Sequence, residues 1–186
     1  MTTAPLRPEL ASGTWVIDPV HSAVTFSVRH LALAGARGAF GEFSGHITVG
    51  DDPLTSEVRA EISIASLNTL NEARDGHLLS PDFFDAANHP TAVFTSTGVV
   101  QDTDADYVVK GELTLKGVTK QVELKLTYNG TVTDPQSGAE KAGFSAVTEI
   151  LRSDFGVGTV ITLPNGSLAL ADKARIELEI EAALTT

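Results

Sequence analysis

Along most of this chain apolar and polar residues change places at every second position, the period of a strand with one dry face. Val24, Phe26 and Val28 alternate with Thr25, Ser27 and Arg29, and Val58, Ala60, Ile62 and Ile64 alternate with Arg59, Glu61 and Ser63. Tyr107, Val109, Gly111, Leu113 and Leu115 share one phase; after a tight Lys116-Gly117 turn Val122, Leu124, Leu126 and Tyr128 share another, which predicts a β-hairpin. Near the C-terminus Ala174, Ile176, Leu178 and Ile180 face one way while Arg175, Glu177, Glu179 and Glu181 face the other. Segments 43–49, 93–100 and 144–151 bring the total to about eight strands, separated by turn signals such as Asp51-Asp52-Pro53 and Asp134-Pro135-Gln136-Ser137-Gly138. Gly38, Gly41 and Gly45 punctuate one strand region, as expected where a long strand bends at a barrel corner.

One stretch departs from this period. Residues 70–80 suit a short helix with Leu70, Ala73, Arg74, His77 and Leu78 on one face. Ser80-Pro81-Asp82 then offers an N-cap and a first-turn proline, and Asn88-His89-Pro90 closes the excursion. The predicted fold is mostly β, an eight-stranded antiparallel β-barrel with one short helical insert acting as lid or plug at one end.

The 186 residues suffice for one domain of ordinary size, here 13–186, after a short arm over 1–12 expected to be disordered. With 13 basic against 24 acidic residues the formal charge is −11, which disfavours nucleic acid and anionic lipid surfaces as partners without excluding single lipid molecules. The outward Glu residues of the last strand show that much of this excess is solvated surface. Apolar runs as short as Leu31 to Ala34 and Leu168 to Ala171 are the longest in the chain, too short to span a membrane. The N-terminus lacks the apolar stretch of a secretory signal, so a cytoplasmic location is expected. Without cysteine there is no disulfide framework, thiolate nucleophile or cysteine-based zinc site.

Catalytic signals are sparse. His21, His30, His46, His77 and His89 show no spacing that puts two on one face, and no nucleophile elbow, phosphate loop or dinucleotide fingerprint is present. The inward positions are almost all Val, Ile, Leu, Phe or Ala, whereas acid-base or nucleophilic chemistry needs polar groups there. A barrel of about eight strands can be filled by side chains or can hold one small ligand, and periodicity does not separate a packed core from an apolar cavity.

Seven motifs in order carry a resemblance, an opening strand and six that follow it. Trp15-Val16-Ile17-Asp18 with His21-Ser22, Val24, Phe26, Val28 and His30, then Gly38, Phe40, Phe43 and Gly45, resemble the opening of the YceI-like family. Ser66 with Thr69, Arg74-Asp75 with His77-Leu78, Asp82-Phe83-Phe84-Asp85, Gly111-Glu112-Leu113-Thr114-Leu115 with Gly117 and Lys120, and Arg152-Ser153-Asp154-Phe155-Gly156 agree in kind. The resemblance covers about Gly13 to Glu181. It implies a lipocalin-like barrel enclosing a long apolar tunnel for a polyisoprenoid or fatty-acid-like molecule, a homodimer, and no catalysis. No cofactor or metal is expected beyond that ligand.

The wall is then expected to comprise the inward residues Phe26, Val28, Ile62, Ile64, Leu113, Leu124, Leu126, Phe144, Ile176 and Leu178, together with Phe43, Phe84 and Phe94. Arg74, on the helix face turned to the barrel, and Arg152, at a strand end, could read a polar head group, or could be structural. Asp18, His21 and Ser22 are expected to fix a barrel end. Three functions stay open: transport or sequestration of an amphipathic lipid, a histidine-based metal-dependent hydrolase, and a packed barrel that binds a protein on its outer face.

Overall fold

The computed structural model describes residues 10–185. Its elements are β1 (Gly13–Ile17), β2 (Ala23–His30), β3 (Ala34–Phe40), β4 (Phe43–Val49), β5 (Glu57–Ser63), β6 (Leu67–Asn68), α1 (Glu72–Leu79), β7 (Thr91–Gln101), β8 (Asp106–Leu115), β9 (Val118–Thr133), β10 (Glu140–Leu151) and β11 (Leu170–Thr185). The arm expected over 1–12 falls on residues 1–9, outside the described residues, and on three more that make contacts. Leu10 packs against the Trp15 cluster, the Ala11 carbonyl accepts from Trp15 Nε1 at 3.0 Å, and Ser12 Oγ donates to Asp51 at 3.0 Å.

All neighbouring strands are antiparallel, and β1-β4-β5-β7-β8-β9-β10-β11 closes on itself through β1 against β11. The remaining strands are continuations of members of this ring. β11 pairs with β1 between Ala182 and Thr185 and with β2 between Leu170 and Glu179; likewise β1 pairs with β4, and β2 with β3. Thus β1–β2, β3–β4 and β5–β6 are three long strands each broken once, and the barrel is an eight-stranded meander in chain order, closed so that its main edges are paired.

The three breaks lie side by side. Asp18 N–H donates to Glu181 O at 2.8 Å, Ser63 N–H to Glu42 O at 2.9 Å and Gly41 N–H to Ser66 O at 3.2 Å. Gly41 therefore sits at the corner that its strand was expected to turn. The breaks separate two halves of the interior. In one, Trp15 (0% exposed), Ile47, Val49, Tyr128, Ala142, Phe144 and Ala182 fill the barrel, and Phe94, Val109, Leu124 and Ala146 continue the packing inward. In the other, Ile64, Ala92, Leu113, Leu115, Phe155 and Val157 line the wall under the helical insert.

The insert differs from its sequence-based outline in two ways. The helix begins at Glu72, because Asn71 Oδ1 accepts from Arg74 N–H at 2.9 Å and so takes the N-cap. Leu70 is left outside it, in a left-handed conformation (φ 62°) and 95% exposed. No second helix starts at Ser80. Its hydroxyl donates back to His77 O at 2.7 Å, and its carbonyl accepts from Phe83 and Asp85 N–H, folding 81–88 into turns. Ser80 serves the helix behind it rather than one ahead. Lys116 Nζ, in the β8–β9 turn, donates to Pro81 O at 2.9 Å and Gly156 O at 2.8 Å, tying this insert to the segment after β10.

Candidate ligand cavity

Pairing between β9 and β10 runs from Glu140↔Thr133 to Val147↔Lys125 and then stops, so the two strands part toward the helical end. The 3-10 turn Arg152–Phe155 enters this gap. Phe155, 2% exposed, closes it from within. A depression of about 730 Å³ remains on the outside, lined by side chains of mixed charge such as Lys120, Glu123, Glu149 and Asp154.

Inside the same half lies a cavity of about 590 Å³. Its wall takes Phe26 and Val28 from β2, Ala34 and Ala36 from β3, Ile62 from β5, Leu113 and Leu115 from β8, and Ala174 and Ile176 from β11, with Phe83, Phe84 and Leu78 from the insert. Alternating strands supply this face because every second residue points inward. Gly38 is needed where it stands: a Cβ there would lie 2.4 Å from Phe26 Cζ, so the missing side chain is the space the Phe26 ring occupies.

Of the residues the sequence nominated, the structure brings nine to this cavity: Phe26, Val28, Ile62, Ile64, Arg74, Phe84, Leu113, Arg152 and Ile176. The other six stand elsewhere. Phe94 and Leu124 belong to the packed middle, with Leu126 and Leu178 against them. Phe144 packs with Trp15 and Tyr128 in the filled end, and Phe43 stands opposite Ile62, half-buried, beside the bend. Their phase is inward as expected; what removes them from the cavity is axial position, below the level at which the barrel is filled. Sequence reasoning missed Phe40, Leu115, Val157, Ala169 and Leu170. The period-two phase that contains Leu113 extends to Leu115, and that of Gly38 to Phe40, whereas the loop residues Val157 and Ala169 belong to no period.

Two arginines face this apolar space differently. Arg74 sits on the exposed rim, where its Nε donates to Thr69 Oγ1 at 2.7 Å and its Nη2 to Thr69 O at 2.7 Å. Arg152 is only 5% exposed. Its Nε, Nη1 and Nη2 donate to the carbonyls of Ala171 (2.8 Å), Val157 (2.6 Å) and Leu170 (3.2 Å). Burial pushes its pKa below the ordinary guanidinium range, with the Asp172 charge acting in the opposite direction. Asp172 itself accepts from Ser153 N–H and Oγ, which hold its carboxyl low. Neither arginine is ion-paired among the described residues, Asp154 included; Arg59 and Arg175, by contrast, pair with Glu61 and Glu177.

A second polar cluster marks the bend between β1 and β2, away from the cavity. Asp18 Oδ2 lies 2.9 Å from His21 Nδ1 and 2.9 Å from Lys141 Nζ, and Lys141 Nζ lies 2.8 Å from Glu181 Oε1. Ser22 Oγ takes the Glu181 N–H at 2.9 Å. Asp18, His21 and Glu181 could by spacing hold a metal ion, but the Lys141 ammonium occupies the position between the two carboxylates. Its hydrogen bond with His21 and then that with Lys141 hold the Asp18 carboxyl well below the carboxylate range; Asp18 in turn raises the His21 pKa. The cluster pins the first bend to β10 and β11; Asp18, His21 and Ser22, expected to fix a barrel end, instead hold the break within the long β1–β2 strand, because both pieces pair along β11.

Comparison with known proteins follows the same outline. The YceI-like domain model matches residues 15–182. The chain is 39% identical over 140 residues to the protein YceI of Escherichia coli O17:K52:H18, covering 75% of this chain and 72% of that one. BcnA of Burkholderia cenocepacia superposes with a TM-score of 0.78 at 24% identity, covering 89% of this chain and 98% of the other. A polyisoprenoid binding domain from Saccharophagus degradans, implicated in plant cell wall breakdown, superposes with a TM-score of 0.65 at 17% identity, covering 92% and 98%.

Proposed function

Because this chain belongs to the YceI-like family, we propose that it is a non-catalytic carrier or sequestering protein that holds the tail of a polyisoprenoid or another long-chain amphipathic lipid in the hollow half of its barrel. The observation that carries this reading is the cavity of about 590 Å³ with an aliphatic and aromatic wall. A prenyl or acyl tail presents only methylene, methyl and vinyl surface, so it asks nothing of the wall but dryness. The polyisoprenoid-binding neighbour of the same fold supports the reading in kind.

The volume bounds the cargo. At roughly 30 Å³ per non-hydrogen atom of a liquid the cavity accommodates about 20 atoms. At ~0.3 kcal/mol per atom such a tail contributes about 6 kcal/mol, a dissociation constant of tens of micromolar before any head-group contact. Longer tails extend through the mouth.

The test is uptake of a fluorescent hydrophobic probe by delipidated, folded protein, with displacement by a C20 prenyl alcohol. One displaceable probe per chain is expected. Folded protein that takes up no displaceable probe would overturn the carrier reading.

A further inference from the structure

The cavity wall has a charge bias opposite to that of the chain. In a protein with 24 acidic and 13 basic residues, the wall includes Arg37, Arg74, Arg152, His30 and His77 and no aspartate or glutamate. None of the three arginines is in an ion pair among the described residues; the Asp172 charge acts on Arg152 without pairing with it, its carboxylate being held by Ser153 N–H and Oγ. The carboxylate nearest Arg74 along its hydrogen bonds, Asp75, is reached only through Thr69, whose hydroxyl donates to Asp75 and accepts from Arg74. A hydrocarbon cargo gains nothing from such a wall, and a buried cation outside any ion pair, as Arg152 is, is costly.

Arg152 is the most informative of the three. A guanidinium carries five N–H donors in a planar fork, and three of those of Arg152 are taken by carbonyls of the segment that covers the cavity. Two remain, on a side chain that is 5% exposed and lines the cavity. Gly158 packs its backbone against this fork and the Phe83 ring: a Cβ there would meet Phe83 at 2.5 Å and Arg152 Nη1 at 2.9 Å, so only glycine lets the three come together. Phe83 in turn stacks edge-on with His77, ring centroids 4.9 Å apart. His77 is one turn from Arg74 on α1. Arg152, Phe83, His77 and Arg74 thus line one cavity together with Phe26 and Ile176, Arg74 and His77 on its exposed rim and Arg152 buried.

Resting on the carrier reading, we propose that the ligand is an amphiphile with an oxyanion head, a carboxylate or a phosphate monoester, which accepts hydrogen bonds from Arg152 and is paired at the rim by Arg74. The tail enters the barrel first and the head stays at the open end. Carboxylate and phosphate share the acceptor chemistry that a guanidinium fork recognises.

The experiment measures affinity of delipidated wild-type protein for three C20 prenyl compounds that differ only in the head: the alcohol, the carboxylic acid and the monophosphate. The acid or the phosphate is expected to bind about tenfold to hundredfold more tightly than the alcohol, and whichever of the two is favoured identifies the source of the oxyanion. Arg74→Gln, on the exposed rim, is expected to cut that advantage at least threefold while leaving the alcohol unchanged. Arg152→Gln is expected to remove most of it. Should that variant fail to fold, the wild-type series and Arg74→Gln decide. Equal affinity for all three heads overturns the oxyanion proposal and leaves the carrier reading standing, whereas no binding of any of them defeats the carrier reading itself. An equal loss for acid, phosphate and alcohol in both variants would make the arginines structural and overturn the assignment.

Discussion

Ile176→Trp and Leu124→Trp form a matched pair that tests the division of the barrel into a filled and a hollow half. Ile176 lines the cavity on β11, between Phe26 of β2 and Thr148 of β10. Leu124 is 9% exposed, lies across from Val109 and packs with Phe94 and Ala146. Overpacking a filled site costs about 1 to 3 kcal/mol, so Leu124→Trp lowers the melting temperature by about 2 to 12 °C for a chain of this size. Ile176→Trp directs its ring into space that holds no side chain, and the ligand-free protein keeps its melting temperature within a few degrees. The cost falls on binding instead. Tryptophan carries six more side-chain atoms than isoleucine and excludes about as many atoms of tail; at ~0.3 kcal/mol each this is about 2 kcal/mol, or roughly 20-fold in affinity. Thermal melts of both variants and titration with a C20 prenyl alcohol check the pair. Equal destabilisation of the two, with the affinity of Ile176→Trp unchanged, would refute the hollow half.

Three further outcomes are expected. Asp18 raises the pKa of His21, so the stabilisation that His21 contributes is fully present below its unfolded value near 6.5 and is lost as pH rises through the raised folded value; the melting-temperature difference between wild type and His21→Asn is therefore larger at pH 5.5 than at pH 9. Asn71→Ala removes the N-cap of α1 and costs about 1 kcal/mol in denaturant unfolding, with faster amide exchange across α1. Gly38→Ala places a Cβ against Phe26 and Thr69, costs about 1 to 3 kcal/mol, and weakens tail binding because the displaced Phe26 ring can move only into the cavity.

Much of the barrel follows from the sequence alone. The period-two alternation of Ala174, Ile176, Leu178 and Ile180 with their charged neighbours specifies a half-buried strand wherever it is placed, because adjacent side chains on a strand must point to opposite faces. The Lys116-Gly117 turn specifies its hairpin for an equally local reason: both residues take positive φ, 48° and 74°. Gly41 announced its corner, and the Arg74–Leu78 stretch its helix. Other features are properties of the closed ring. Leu124 and Leu113 have the same phase, the same hydrophobicity and neighbouring strands, yet one is in the filled core and the other on the cavity wall. That difference is height along the barrel axis, set by how three broken strands and a parted β9–β10 pair fit together, and no local pattern encodes it. The same holds for Arg152: the sequence marks an arginine at a strand end, but only the return of the segment after β10 brings the carbonyls of Val157, Leu170 and Ala171 to its fork. Lys141 shows the converse, since a residue without motif or period becomes the centre of the Asp18–His21–Glu181 cluster once β10 and β11 pair beside the first bend. Alternation is dictated residue by residue, whereas filling, vacancy and the meeting of charges depend on distances between chain segments that only closure of the barrel determines.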